Sequence, residues 1–331
     1  MEINQFEYNI FERDGRDASS KAKKDVSDIL RNRGCIKIYN PSKYRPIRII
    51  QQFFSIILLP KGSTLYVQYH ANISFFYRLL KLKKSIKKIA IIHDMESLRK
   101  EMSLSEEIGL LNCFDFIVSH NKRMTDYLKE NNVKAKIVDL QIFDYLLDDD
   151  ISVNNKYEKN TVFYAGNLIK PVFLTQLSKI GTRISFNIYG AEFKGIDRIL
   201  SQNNVAYKGS FRPEQLIANV EGGWGLVWDG DSLATCSGVT GEYMMFNNPH
   251  KVSMCIVSER PIIIWSKAAM ADYILRKKLG VVVDSLYDIP NVLHNMSDEE
   301  YQTIIQNVRI EKKRLVNGQS LKEALDTLLK K

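Results

Sequence analysis

The stretch Val162-Phe-Tyr-Ala-Gly166-Asn167 is a short apolar run that breaks off at a glycine turn. Runs of this kind recur along the chain, with helically spaced patterns between them. In the first half the strand candidates are Leu65–Gln68, Ile89–Ile92, Phe116–Val118 and Ile137–Leu140. In the second half they are Thr161–Tyr164, Ile184–Ile188, Val205–Tyr207, Gly225–Val227, Ile262–Trp265 and Val281–Val283. Helical patterns at Lys122–Asn131, Pro213–Val220, Pro249–Val257 and Ala268–Lys278 fall between them. Strands separated by helices form parallel sheets, so the class is α/β. Ligands of such sheets sit beyond the carboxyl ends of the strands, which makes the polar residues there the ones to weigh.

The chain has 331 residues, enough for two domains of ordinary size. Residues 148–160 are polar, charged and without period, and read as a linker. The expected domains are 1–152 and 153–305, both Rossmann-like, followed by a helical segment 306–331 that could pack back on the first. Residues 1–15 lack the apolar core of a signal peptide, and the greasiest stretch, Ile49 to Leu59, is too short to span a bilayer. A cytoplasmic protein, soluble or peripheral to a membrane, is expected. The cysteines at 35, 113, 236 and 255 show no metal-ligand spacing and read as free thiols.

Charge is uneven. The net charge is +9, yet between Lys21 and Lys88 sixteen Lys and Arg face only Asp25 and Asp28. Such a segment suits nucleic acid, anionic lipid or nucleotide phosphates, or is simply a solvated face. No nucleic-acid-reading motif organises its aromatic residues, so no nucleic acid is expected. The run Arg78-Leu-Leu-Lys-Leu-Lys-Lys-Ser-Ile-Lys-Lys88 mixes apolar and basic residues at helical spacing, like an interfacial helix on an anionic membrane surface.

Two strand ends and one helix start carry the chemistry. Ile89-Ala-Ile-Ile-His93-Asp94 ends on a titratable pair, with His93 able to work near neutral pH. Gly166-Asn167 lets a phosphate approach the backbone, with Lys170 close behind, although no dinucleotide fingerprint is present. The stretch from Cys236 to Lys251 contains Tyr243 and runs into Asn247-Asn248-Pro249. That reads as a helix start with Asn248 as cap, Pro249 in the first turn and Lys251 beside it. Free N–H groups, the positive dipole end and a lysine make an anion site suited to a diphosphate.

The chain resembles bacterial β-1,6-galactofuranosyltransferases of O-antigen synthesis. The likeness runs nearly end to end. It is carried by Arg16-Asp17-Ala18, Ile92-His93-Asp94, Ser119-His120-Asn121, Tyr164-Ala-Gly-Asn-Leu168, Trp228-Asp-Gly-Asp-Ser232 and Phe246-Asn-Asn-Pro-His-Lys251. More distantly it is similar to a streptococcal adhesin glucosyltransferase that uses UDP-glucose. That relative carries an arginine after its Gly-Asn turn, where the first cation here is Lys170. The resemblance implies a GT-B fold, two Rossmann-like domains facing across a cleft, and a homo-oligomer. It implies a UDP-sugar donor held by the C-terminal domain. It also implies an acceptor glycan on a polyprenyl diphosphate, at the inner face of the cytoplasmic membrane.

On that footing UDP-sugar binding is expected of Gly166, Asn167, Lys170, Tyr243, Asn247, Asn248 and Lys251. No metal and no cofactor are expected, because cations and a helix end can neutralise the leaving UDP. Trp228-Asp-Gly-Asp231 looks like a D-x-D metal motif, but no further ligand cluster completes a shell, and a role in positioning a sugar hydroxyl or a loop is expected instead. A β product from an α-linked donor means inversion and one carboxylate base. Asp17 is the first candidate, Asp94 the second, and His93 is the third catalytic candidate. A UDP-glucose enzyme and a non-catalytic nucleotide-sugar-binding subunit remain alternatives.

Overall fold

Twelve strands pair in parallel in the computed structural model, which describes residues 4–8, 18–38, 44–69, 74–148, 151–154 and 156–329. The first sheet takes β1 (Gln5–Tyr8), β2 (Ile36–Lys37), β3 (Thr64–Tyr69), β4 (Lys87–Ile92), β5 (Phe116–Ser119) and β6 (Lys136–Asp139), in the order β2-β1-β3-β4-β5-β6. The second takes β7 (Thr161–Ala165), β8 (Ser185–Tyr189), β9 (Val205–Gly209), β10 (Trp224–Val227), β11 (Ile262–Trp265) and β12 (Gly280–Val283), in the order β12-β11-β10-β7-β8-β9. Every residue of β3, β7, β10 and β11 is buried. A strand buries consecutive side chains only when both sheet faces are covered, as helical crossovers between parallel strands require.

The chain divides into two units at Gln141/Ile142. Residues 148–160, expected as a linker, belong to the second unit. The reason is Arg260, fully buried at the end of a helix. Its guanidinium donates to the Asn154 carbonyl at 2.6 Å and lies 4.1 Å from the centre of the Tyr157 ring. A buried guanidinium needs such partners, and the polar segment supplies them from its backbone. The C-terminal segment is also divided. Helix Asp298–Val316 belongs to the second unit, burying Tyr301, Ile305 and Val308, while residues from Ser320 on join the first. There, helix Gln319–Leu329 buries Leu321, Leu325 and Leu328, and Asp326 pairs with Arg33 at 2.6 Å.

The expected interfacial helix is not one. Helix Ser74–Leu82 buries Phe76, Tyr77 and Leu80 completely, with Phe76 stacked on Tyr8 at 3.9 Å. Lys87 and Lys88 then open β4, where Lys88 is buried and lies 3.7 Å from Asp115. Leu80 and Ile86 of this run belong to the core of the first unit, and Leu82 alone of its apolar residues is largely exposed, so the run has no continuous apolar face to offer a membrane.

Candidate functional site

The second sheet reverses its winding between β7 and β10, which lie side by side while their successors run outward in opposite directions. Loops leaving two such strands part from each other and open a crevice at their carboxyl ends. Gly166 follows β7 there, and Asp229 lies two residues beyond β10. Helix His250–Val257 brings Lys251 to the same place.

Lys251 is the centre of the arrangement. Its Nζ donates to the Tyr164 hydroxyl at 2.8 Å, sits 3.5 Å from Asp229 Oδ2 and lies 4.4 Å from the centre of the Tyr164 ring. Burial alone would favour the neutral amine. The Tyr164 hydroxyl and the Asp229 carboxylate outweigh it and hold the ammonium above its ordinary range. Tyr164 is itself buried, which pushes its hydroxyl up against the pull of Lys251, so it stays a neutral acceptor for the lysine. The side chain of Lys251 remains about 20% exposed. An ammonium has three donors, and one is left for a ligand.

The loop over this lysine has no room for side chains. A Cβ on Gly166, at φ +153°, would lie 3.0 Å from Lys251 Cε. A Cβ on Gly190, at φ +158°, would lie 2.3 Å from the Gly166 carbonyl oxygen. Two glycines from neighbouring strand ends thus let backbone, lysine and any ligand approach closely. Asn167 shapes the loop: its Oδ1 accepts from the N–H groups of Ile169 at 2.8 Å and Lys170 at 3.0 Å. The side chain of Asn167 is therefore committed to the turn, and the side chain of Lys170 is exposed.

The helix start differs from expectation. Pro249 is the N-cap residue, at φ −62° and ψ 128°, and no side chain caps the helix. Asn248 precedes the cap and is buried. A proline ring fits the extended cap conformation as readily as the first turn, and it moves the start along by one residue. Lys251 still falls in the first turn. Asn247 Oδ1 is buried with no hydrogen-bond partner among the described residues. Tyr243 ends the short helix Gly238–Tyr243 and is buried.

Asp229 Oδ1 accepts from the Gly230 N–H at 2.9 Å and Oδ2 faces Lys251. Among the described residues no three His, Cys, Asp or Glu side chains converge.

In the first unit, His93 follows β4, and its Nε2 lies 2.8 Å from Gln68 Oε1. Gln68 donates in turn to buried Glu7 at 2.7 Å and to Ser27 at 2.9 Å. Asp94 pairs with Arg99 at 3.0 Å. Behind them, Glu107 is fully buried and accepts from the N–H groups of Glu96 and Ser97. Burial raises Glu96 to about 7, and neighbouring Glu101 adds to the rise. Burial likewise lowers His120 to about 4, which keeps it neutral. Asp17 lies outside the described residues, as do 9–16 and 70–73.

The structure brings the sequence-expected Gly166 and Lys251 together, with side chains that sequence reasoning did not assign to the site. Tyr164 lies two residues before the turn glycine in a strand buried at every position, so no polar pattern marks it as facing the lysine. Asp229, expected to position a sugar hydroxyl or a loop, is an ion-pair partner of Lys251.

Comparison with known proteins agrees over both units. Residues 162–328 match the family model for a glucosyltransferase 3-like C-terminal domain, and residues 6–142 the corresponding N-terminal domain. The chain is 33% identical to beta-1,6-galactofuranosyltransferase WbbI of Escherichia coli K12 over 95% of both chains. It is 27% identical to glucosyltransferase 3 of Streptococcus gordonii over 67% of this chain and 65% of that one. Among solved structures, the alpha,alpha-trehalose 6-phosphate synthase of Burkholderia multivorans superposes with a TM-score of 0.61 at 10% identity, over 98% of this chain and 96% of the other. That likeness speaks to the fold alone, the GT-B type built from two Rossmann-like units.

Proposed function

The chain belongs to the glucosyltransferase 3-like family of glycosyltransferases, and we propose that it moves a galactofuranosyl group from UDP-galactofuranose to a lipid-linked glycan. The observation that carries the donor half is the Lys251 ammonium. It is held between Tyr164 and Asp229 under a glycine turn, at the switch point of the second sheet. As the glycosidic bond breaks, charge gathers on the departing diphosphate. A fixed cation at a helix N-terminus stabilises that charge without reorganising. No metal is needed for this step, since the lysine supplies the charge. Gly166 lets the diphosphate close on the backbone, and Asn247 Oδ1 offers an acceptor to a donor hydroxyl. Asn248 and Tyr243 shape the wall behind it, and Lys170 adds a mobile cation at the rim.

The galactofuranosyl reading follows the relative that matches this chain over nearly its whole length. The transfer inverts, with Asp17 as the base for the acceptor hydroxyl. His93 and Asp94 bind acceptor hydroxyls. The acceptor hangs from a polyprenyl diphosphate, so the enzyme works on the inner face of the cytoplasmic membrane, and it does so as a homo-oligomer. The test is incubation with UDP-galactofuranose or UDP-glucose and a glycan acceptor in EDTA, with UDP release and the anomeric proton of the product as readouts. A β-linked furanoside from the first donor supports the reading. Turnover of UDP-glucose alone, or none without added metal, overturns it.

A further inference from the structure

Helix Arg45–Ile57 turns Gln52 inward beside Ile56 and leaves a broad apolar arc outside. Gln52 is 2% exposed, while Ile50 is 56% exposed, Phe54 52% and, just past the helix, Leu58 73%. At 3.6 residues per turn, Ile47, Ile50, Phe53, Phe54, Ile57 and Leu58 fall on one arc of about 140°. The Gln52 amide nitrogen is buried without a hydrogen-bond partner among the described residues. A helix that buries Gln52 beside Ile56 while Ile47, Ile50, Phe53, Phe54 and Ile57 stay exposed is arranged for something apolar outside. A groove of about 460 Å³ opens on the same helix, walled by Phe6, Ile38, Phe54, Leu58 and Leu59. Leu82, also exposed, ends the neighbouring helix, and the following Lys83 donates to the Ile57 carbonyl at 2.8 Å.

Charge decides what covers this face. From Ile29 to His93 the chain has thirteen Lys and Arg and no carboxylate. Lys61, Arg78, Lys81 and Lys84 are exposed. A second copy using the same face would press two strongly basic surfaces together, which is unfavourable. An anionic lipid surface offers both the apolar layer and the countercharge.

We propose that helix Arg45–Ile57 and Leu58 lie in the headgroup–acyl boundary of an anionic bilayer, with the groove taking part of one lipid tail. This rests on the reading that the acceptor is membrane-borne and not on which sugar is moved. The test is flotation of the full chain with phosphatidylglycerol–phosphatidylcholine vesicles against phosphatidylcholine alone. The protein floats with the anionic vesicles. The combined variant Ile50→Ser, Phe54→Ser, Leu58→Ser binds them at least tenfold more weakly, with UDP affinity retained. Leu58→Ser alone, at an exposed position, gives a smaller loss in the same direction if the combined variant fails to fold. Equal wild-type binding to both lipids, undiminished binding by a folded serine variant, or self-association abolished by those serines without vesicle binding would each overturn the proposal. UDP binding on the same samples separates this from the donor reading, because failure of one leaves the other standing.

Discussion

Replacing Lys251 by methionine tests the donor site at its centre. Methionine keeps most of the stem that packs under Gly166, so the change removes the charge and little volume. The lysine now donates to Tyr164 at 2.8 Å and faces Asp229 at 3.5 Å, with a third donor open. One charge-assisted hydrogen bond to a phosphate contributes about 1.5–3 kcal/mol. UDP should therefore bind about 10- to 150-fold more weakly at 25 °C. The pair with Asp229 is partly exposed and contributes about 1 kcal/mol or less to folding, so the variant stays folded. Calorimetry with UDP in EDTA reads the loss, and the same titration with uridine reads the control. Uridine affinity should not change, because the lysine has no phosphate to lose there. A folded variant whose UDP affinity stays within about twofold of the parent would refute the assignment. An equal loss for uridine would mean that the pocket had collapsed.

Much of the fold was legible because its strands are buried on both faces. All ten apolar runs read as strands are strands, with ends that agree to within two residues. β1 and β2 escaped the reading, for different reasons. In Gln5-Phe-Glu-Tyr8 the glutamate looks solvent-facing, yet Glu7 is buried because Gln68 and Ser27 satisfy it from distant positions. β2 has two residues, both exposed at a sheet edge, and is too short to carry a periodic signal. The basic run 78–88 misled because interfacial and core-facing helices share one pattern. Phe76, Tyr77 and Leu80 face the core, and the exposed apolar helix is the preceding one, with Gln51 and Gln52 breaking its pattern. At the site, glycine and lysine were readable from turn and helix-start chemistry. The pairing of Lys251 with Tyr164 and Asp229 was not, since it joins side chains 87 and 22 positions apart in sequence.

Three further outcomes are expected. Gly190→Ala forces a Cβ to 2.3 Å from the Gly166 carbonyl, so thermal unfolding should show a loss of about 1–3 kcal/mol together with weaker UDP binding; an unaltered melting curve would show that the two loops yield easily. Asp17→Asn should lower turnover by about 10²–10⁴ while UDP affinity holds, and an active variant would move the base to Asp94, which already pairs with Arg99. Glu96→Gln addresses pH. Burial, with Glu101 beside it, raises the Glu96 carboxyl from 4.5 to about 7, so the folded chain holds that proton more tightly than the unfolded one. Its contribution is therefore complete below about pH 4.5 and lost as pH rises through 7, a swing on the order of 2 kcal/mol. The glutamine cannot ionise, so the variant should melt a few degrees above the parent at pH 8, with the gap closing by pH 5. His120 runs the opposite way: held neutral down to about 4, it withdraws stability as pH falls from 6.5. With Glu96 removed, that acid sensitivity should stand alone in the variant. Melting curves that stay parallel for parent and variant from pH 5 to 8 would mean that Glu96 is ionised throughout, with its charge taken up by Arg99.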